Sequence, residues 1–159
     1  MAIAHRGASA YAPENTLAAF GQALRLGCHA VEFDVRLSRD RVPVVIHDAT
    51  VDRTTNGRGA VRNMSVAELQ RLDAGAWFGP QFAGARVPTL DEALAAVAAP
   101  ARCAIELKEV VEPAELIAAL ERSGTAERAV ITSFEPGLVA PVRRACRDVA
   151  VGLLASQWD

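Results

Sequence analysis

Two apolar runs carry ionisable side chains at alternate positions: Ala30-Val31-Glu32-Phe33-Asp34-Val35 and Ala104-Ile105-Glu106-Leu107-Lys108. Strand side chains alternate between faces, so Glu32 shares a face with Asp34 and Glu106 shares one with Lys108, opposite Val31, Phe33, Ile105 and Leu107. Burying three carboxylates without compensation costs several kcal/mol each, so a fold that accepts both runs must give that face to a polar site, most simply one built around a cation. A solvated charged stripe is the competing reading, and it is hard to sustain twice on strands whose other face is apolar.

The order of elements around these runs is regular. A short strand ends at His5, and a helix is expected over about Thr16 to Leu26, with Asn15 or Thr16 as cap, Leu17, Phe20 and Leu24 on one face, and Gly27 as its stop. The strand from Val31 to Leu37 is followed by Ser38-Arg39-Asp40-Arg41 and then Val42-Pro43-Val44-Val45-Ile46, a link too short for a parallel crossover. These two runs must form an antiparallel hairpin, which returns His47-Asp48 to the level of Glu32 and Asp34. Residues 49–88 read as a Gly-rich helical insertion or cap, with a capping box at Ser65-Val66-Ala67-Glu68. A second box, Thr89-Leu90-Asp91-Glu92, opens a helix that leads into the strand of Glu106 and Lys108. Helices near 113–122 and 136–147 then alternate with strands near 129–132 and 149–154, and Phe134 reads as core.

Strands alternating with amphipathic helices imply a parallel sheet, and polar residues at several strand ends are the arrangement of a TIM barrel's active face. The competing doubly wound sheet lacks its glycine fingerprint, because Arg6-Gly7-Ala8-Ser9-Ala10 has the wrong spacing. The expected fold is therefore α/β and TIM-barrel-like. It is also expected to be partial, with five parallel strands plus a hairpin arm and with C-terminal β-α units missing, in one domain spanning 1–159.

The 159 residues, 51% of them hydrophobic, suffice for one substantial core. A formal charge of −2 without charge blocks, and few aromatics, argue against a nucleic-acid or anionic-membrane surface. Cys28, Cys103 and Cys146 are odd in number and lie in or beside apolar runs, which points to reduced thiols and a cytoplasmic setting. No apolar stretch is long enough to span a bilayer, and membrane insertion is not expected. Sixteen of the seventeen basic residues are arginine, which leaves Lys108 as the one compact ammonium.

His5-Arg6-Gly7, Pro13-Glu14-Asn15-Thr16, Glu32-Phe33-Asp34-Val35, Val44-Val45-Ile46-His47-Asp48, Arg53-Thr54-Thr55-Asn56-Gly57, Leu72-Asp73-Ala74-Gly75, Val87-Pro88-Thr89-Leu90-Asp91-Glu92 and Glu106-Leu107-Lys108 occur in the order found in glycerophosphodiester phosphodiesterases, a family that the whole chain resembles. The resemblance implies metal-dependent hydrolysis of glycerophosphodiesters to sn-glycerol 3-phosphate and an alcohol. It gives the metal role to Glu32, Asp34 and Glu106, whose hard oxygens suit Mg²⁺ or Ca²⁺. It gives general acid and general base roles to His5 and His47, a task for which near-neutral imidazoles are suited. Arg6 and Lys108 are expected at the phosphate, and Glu14 is expected to reach the site and hold Arg6 or His5. His29 precedes a strand at the opposite end and reads as structural.

Two other readings compete. A phospholipase C- or D-type lipid phosphodiesterase shares histidines and acidic ligands with this site, although the insertion argues against it. A truncated, inactive or assembly-dependent subunit follows if the open barrel is completed only by self-association.

Overall fold

The computed structural model describes residues 1–155; Ser156–Asp159, the last four positions of the expected domain, lie outside the described residues. Five strands run parallel in the order β1 (Ile3–Ala4), β2 (Ala30–Leu37), β4 (Arg102–Leu107), β5 (Ala129–Ser133) and β6 (Ala150–Leu153), and β3 (Pro43–Val45) pairs antiparallel with β2. Helices α1 (Leu17–Arg25), α3 (Leu90–Ala96), α4 (Pro113–Arg122) and α5 (Pro136–Ala145) fill the crossovers, and α2 (Val66–Leu69) lies in the insertion. This is the α/β, partial TIM-barrel-like arrangement that the pattern of elements predicts.

Local chemistry sets the boundaries. Ser65 and Thr89 both form reciprocal capping boxes, with Glu68 and Glu92 respectively, and so start α2 and α3. Thr16, rather than Asn15, caps α1 by accepting the Ala19 N–H at 3.3 Å. The strand expected over 42–46 is Pro43–Val45, and on its side away from β2 the Val45 N–H donates to the Pro88 carbonyl. The last helix ends at Ala145, two residues early, where Cys146 is extended.

In register, Val31, Phe33 and Val35 pair with Cys103, Ile105 and Leu107. All six are essentially buried, and with Phe20, Leu94, Leu116, Leu120 and Ile131 they form the main core beneath the helices. The other face presents Glu32 and Asp34 beside Ala104 and Glu106. A second, smaller cluster of Val44, Ile46, Val51, Val61, Leu69, Ala74 and Val87 anchors residues 49–88 against the hairpin. Most of that segment is turn and 3₁₀ structure, with α2 its only α-helix. Phe134, expected in the core, is instead 53% exposed just past the C-terminal end of β5. No helix among the described residues is long and apolar enough to cross a membrane.

Candidate active site

The polar face of the sheet gathers Glu32 and Asp34 from β2 with Glu106 from β4. Register places Asp34 directly beside Glu106, and one oxygen from each of the three carboxylates lies within 4.8 Å of the others. Asp34 is wholly buried and Glu106 nearly so. Lys108, one residue beyond β4, pairs with Glu106 Oε1 and places Nζ 3.1 Å from Asp34 Oδ1. That contact lacks hydrogen-bond geometry, so the buried Oδ1 keeps an unshared lone pair. Burial, then the negative charges of Asp34 and Glu106, push the Glu32 carboxyl up to about 7, although the Arg6 N–H donates to it.

His5 and Arg6 follow β1 in a tight turn. Arg6 and Gly7 both take left-handed φ values, +56° and +79°. A Cβ on Gly7 would stand 2.7 Å from Ala19 Cβ and 2.9 Å from Phe20 Cδ1, so α1 closes on this turn only because the residue is glycine. The turn aims the Arg6 N–H at Glu32 Oε2 (2.8 Å) and leaves His5 Nε2 3.9 Å from that oxygen. Arg6 Nη1 donates to Glu14 Oε1 at 2.9 Å, and its buried Nε stands 3.4 Å from Asp34 Oδ2 without a hydrogen bond. Glu14 thus holds Arg6 and not His5, which resolves the alternative that the sequence leaves open.

The hairpin returns His47 as its geometry requires: the Ile46 N–H donates to the Asp34 carbonyl at 3.0 Å, and Arg36 Nε donates to the His47 carbonyl at 2.8 Å. His47 Nδ1 lies 2.7 Å from Asp48 Oδ1. Arg53 hydrogen bonds, with the His47 contact added, hold the Asp48 carboxyl well below the ordinary carboxylate range. Arg53 likewise lowers Glu14 against the opposing effect of burial, and Arg6 reinforces it.

All eight residues singled out from the sequence therefore stand at one end of the sheet. His29 does not join them: its Nδ1 accepts the Ala2 N–H at 3.0 Å near the other end. Sequence reasoning missed roles for Asn15, Asp48 and Arg53. Asn15 is buried at φ +56° with its amide on Asp34, and Arg53 hydrogen bonds to both Glu14 and Asp48. Their only signal was membership of ordered motifs, since none lies on a periodic element.

Comparison with known proteins identifies the family to which this fold belongs. The sequence profile described as the glycerophosphoryl diester phosphodiesterase family matches residues 5–158. A glycerophosphodiester phosphodiesterase of Caldanaerobacter subterraneus subsp. tengcongensis is 42% identical over 160 residues, covering 97% of this chain and 66% of the relative. Human glycerophosphodiester phosphodiesterase 1 is 35% identical over 172 residues, covering 99% of this chain and 50% of the relative. Among solved structures, an Oleispira antarctica phosphodiesterase in complex with the product sn-glycerol-3-phosphate superposes with a TM-score of 0.91 at 34% identity, over 96% of this chain and 65% of that one. The Agrobacterium tumefaciens glycerophosphodiester phosphodiesterase gives 0.88 at 40% identity, over 95% and 66%. The chain spans half to two thirds of the length of these four proteins. With the profile matched from His5 nearly to the last residue and the same architecture in the solved relatives, the chain belongs to the glycerophosphoryl diester phosphodiesterase family.

Proposed function

We propose that this chain carries the catalytic residues of a divalent-metal-dependent phosphodiesterase that hydrolyses glycerophosphodiesters to sn-glycerol 3-phosphate and an alcohol. The convergence of Glu32, Asp34 and Glu106 beneath two histidines and two cationic side chains carries the reading. The product named for the Oleispira antarctica relative supports the choice of substrate.

The residues fit a hard cation. The donors are all carboxylate oxygens, and Asp34 Oδ1 is buried with no hydrogen bond. In the connected network, Glu14, Glu32, Asp34, Asp48 and Glu106 oppose Arg6, Arg53 and Lys108, which leaves two formal negative charges, the charge of one divalent cation. Glu32, Asp34 and Glu106 would hold Mg²⁺ or Ca²⁺, which supplies Lewis-acid polarisation of a phosphoryl oxygen.

The chain's own groups do the rest. Arg6 presents a guanidinium and Lys108 an ammonium to the phosphate, where they offset charge that builds up in the transition state. His47, with Nδ1 turned to Asp48, leaves Nε2 to accept a proton from the glycerol 2-hydroxyl as it attacks phosphorus. The phosphorus–oxygen bond to the alcohol breaks, and His5 donates the proton that the alcohol oxygen takes. Water then opens the cyclic phosphate with the two histidines in reversed roles. Residues 49–88 act as a cap over this end of the sheet, and the three free cysteines support a cytoplasmic setting. Among the described residues the outer edges of β1 and β6 are unpaired, which supports self-association through those edges, readable by light scattering.

The test is release of glycerol 3-phosphate from glycerophosphocholine, with and without chelator. Cation-dependent release that is lost in His5→Ala and His47→Ala, with thermal unfolding unchanged, is expected. Release that survives chelation, or either histidine variant keeping more than about a tenth of the activity, overturns the corresponding assignment.

A further inference from the structure

Arg53 belongs to no barrel strand. It lies in the insertion, yet its guanidinium spans two carboxylates brought in from different parts of the chain. Nε and Nη2 donate to Asp48 Oδ2 and Oδ1 at 2.7 and 3.1 Å, while Nη1 and Nη2 donate to Glu14 Oε2 and Oε1 at 2.8 and 2.9 Å. Each of those carboxylates has its remaining contact on a group at the reacting end: Asp48 Oδ1 on His47 Nδ1, and Glu14 Oε1 on Arg6 Nη1. Among the described residues, Arg53 alone touches both arms. The Arg53 side chain is 45% exposed, and pairs so exposed add little to stability, so a purely stabilising role accounts poorly for four aligned donors.

We propose that Arg53 is a positioning residue that sets His47 and Arg6 together. By occupying both oxygens of Asp48 it fixes the plane of that carboxylate, so that Oδ1 accepts a hydrogen bond from the His47 Nδ1–H and Nε2 is left bare. By occupying both oxygens of Glu14 it fixes the acceptor on which Arg6 rests. A lysine cannot replace it, because one ammonium is a point charge and cannot present paired donors to two carboxylates at once. The inference rests on the phosphodiesterase reading for its effect on turnover, though not for its effect on His47.

The experiment compares the full chain with Arg53→Gln and Arg53→Lys with Mg²⁺ or Ca²⁺ present, the ring spectra being taken at a pH where the imidazoles are neutral and turnover at the parent's pH optimum. The ¹⁵N spectrum of the His47 ring reports which nitrogen carries the proton, and kcat and KM for glycerophosphocholine report function. A single Nδ1-protonated form is expected in the parent and a mixture of tautomers in both variants. The kcat should fall by roughly 10–100-fold, as when an outer-layer partner is lost, with a smaller change in KM and a thermal midpoint within about 4 °C of the parent. A variant that keeps the single tautomer overturns the proposal, and so does Arg53→Lys restoring kcat to within about twofold. If Arg53→Gln fails to fold, Arg53→Lys, which keeps the charge, carries the same readouts. If the parent hydrolyses no glycerophosphodiester, the phosphodiesterase reading fails, and the His47 tautomer still decides the role of Arg53 either way.

Discussion

Asn15 grips Asp34 on two sides: its Nδ2 donates to Asp34 Oδ2 at 2.8 Å, and its Oδ1 accepts the Asp34 backbone N–H at 3.3 Å. The first bond offsets part of the cost of burying the carboxylate, and the second fixes the strand that carries it. Asn15 itself takes φ +56°, a conformation that asparagine and glycine tolerate. Replacing it with glycine therefore preserves the backbone and removes only the amide. Asn15→Gly is expected to cost roughly 1–3 kcal/mol in urea unfolding, because Asp34 then loses a buried partner. An unchanged midpoint would show that the amide contributes nothing.

Glu32 makes stability depend on pH in the direction opposite to most carboxylates. Its folded value of about 7 lies above its ordinary value of 4.5, so the folded chain holds this proton more tightly than the unfolded chain does. Stability contributed by the protonated form is full below about 4.5 and falls as pH rises through 7, for a total of roughly 3 kcal/mol. In chelator, Glu32→Gln should therefore be more stable relative to the parent at pH 8 than at pH 5. Parallel unfolding curves at the two pH values would refute this account.

Lys108 acts as an internal cation for Asp34 and Glu106. Lys108→Met leaves two buried carboxylates short of a partner, and removal of one member of a buried pair costs about 3–5 kcal/mol. In chelator the thermal midpoint of this variant should fall well below the parent's. Millimolar Ca²⁺ or Mg²⁺ should then raise it by more than it raises the parent's, because an external cation takes over the missing charge. Differential scanning fluorimetry decides the matter, and equal shifts in the two proteins would count against it.

Gly7 allows the turn that carries His5 and Arg6 to sit against α1. Gly7→Ala adds a Cβ 2.8 Å from the Ala19 backbone carbon at a residue already in the left-handed region. Overpacking and backbone strain together should cost about 2–4 kcal/mol. Turnover should fall further than Arg6→Ala alone explains, since both His5 and Arg6 move. A variant with wild-type melting and kcat would show that α1 can shift without penalty.

Much of the architecture was legible because it rests on local rules. The capping boxes at Ser65 and Thr89 and the four-residue link at 38–41 each dictate one outcome within a few residues. The alternation in β2 and β4 dictates which residues share a face, and so predicts that Glu32, Asp34 and Glu106 converge. Asn15 was harder to place, because asparagine and threonine both serve as helix caps, and here Thr16 takes that role while the Asn15 amide donates to Asp34, nineteen residues away. Phe134 follows an apolar strand and reads as core from hydrophobicity alone, yet it falls beyond the sheet's edge of cover, where nothing described buries it.

The order of chemistry-bearing residues, the parallel α/β pattern and the shared face of the acidic side chains were determined by sequence alone, since periodicity and link length act over short distances and leave few alternatives. The tertiary structure decided which charge meets which: Glu14 on Arg6 rather than His5, Asn15 on Asp34 rather than on the helix end, and Arg53 on Glu14 and Asp48 together. Those pairings depend on the relative placement of a β-α turn, a hairpin end and an insertion, and side-chain hydrogen bonds only a few ångströms long are set by that packing rather than by spacing along the chain.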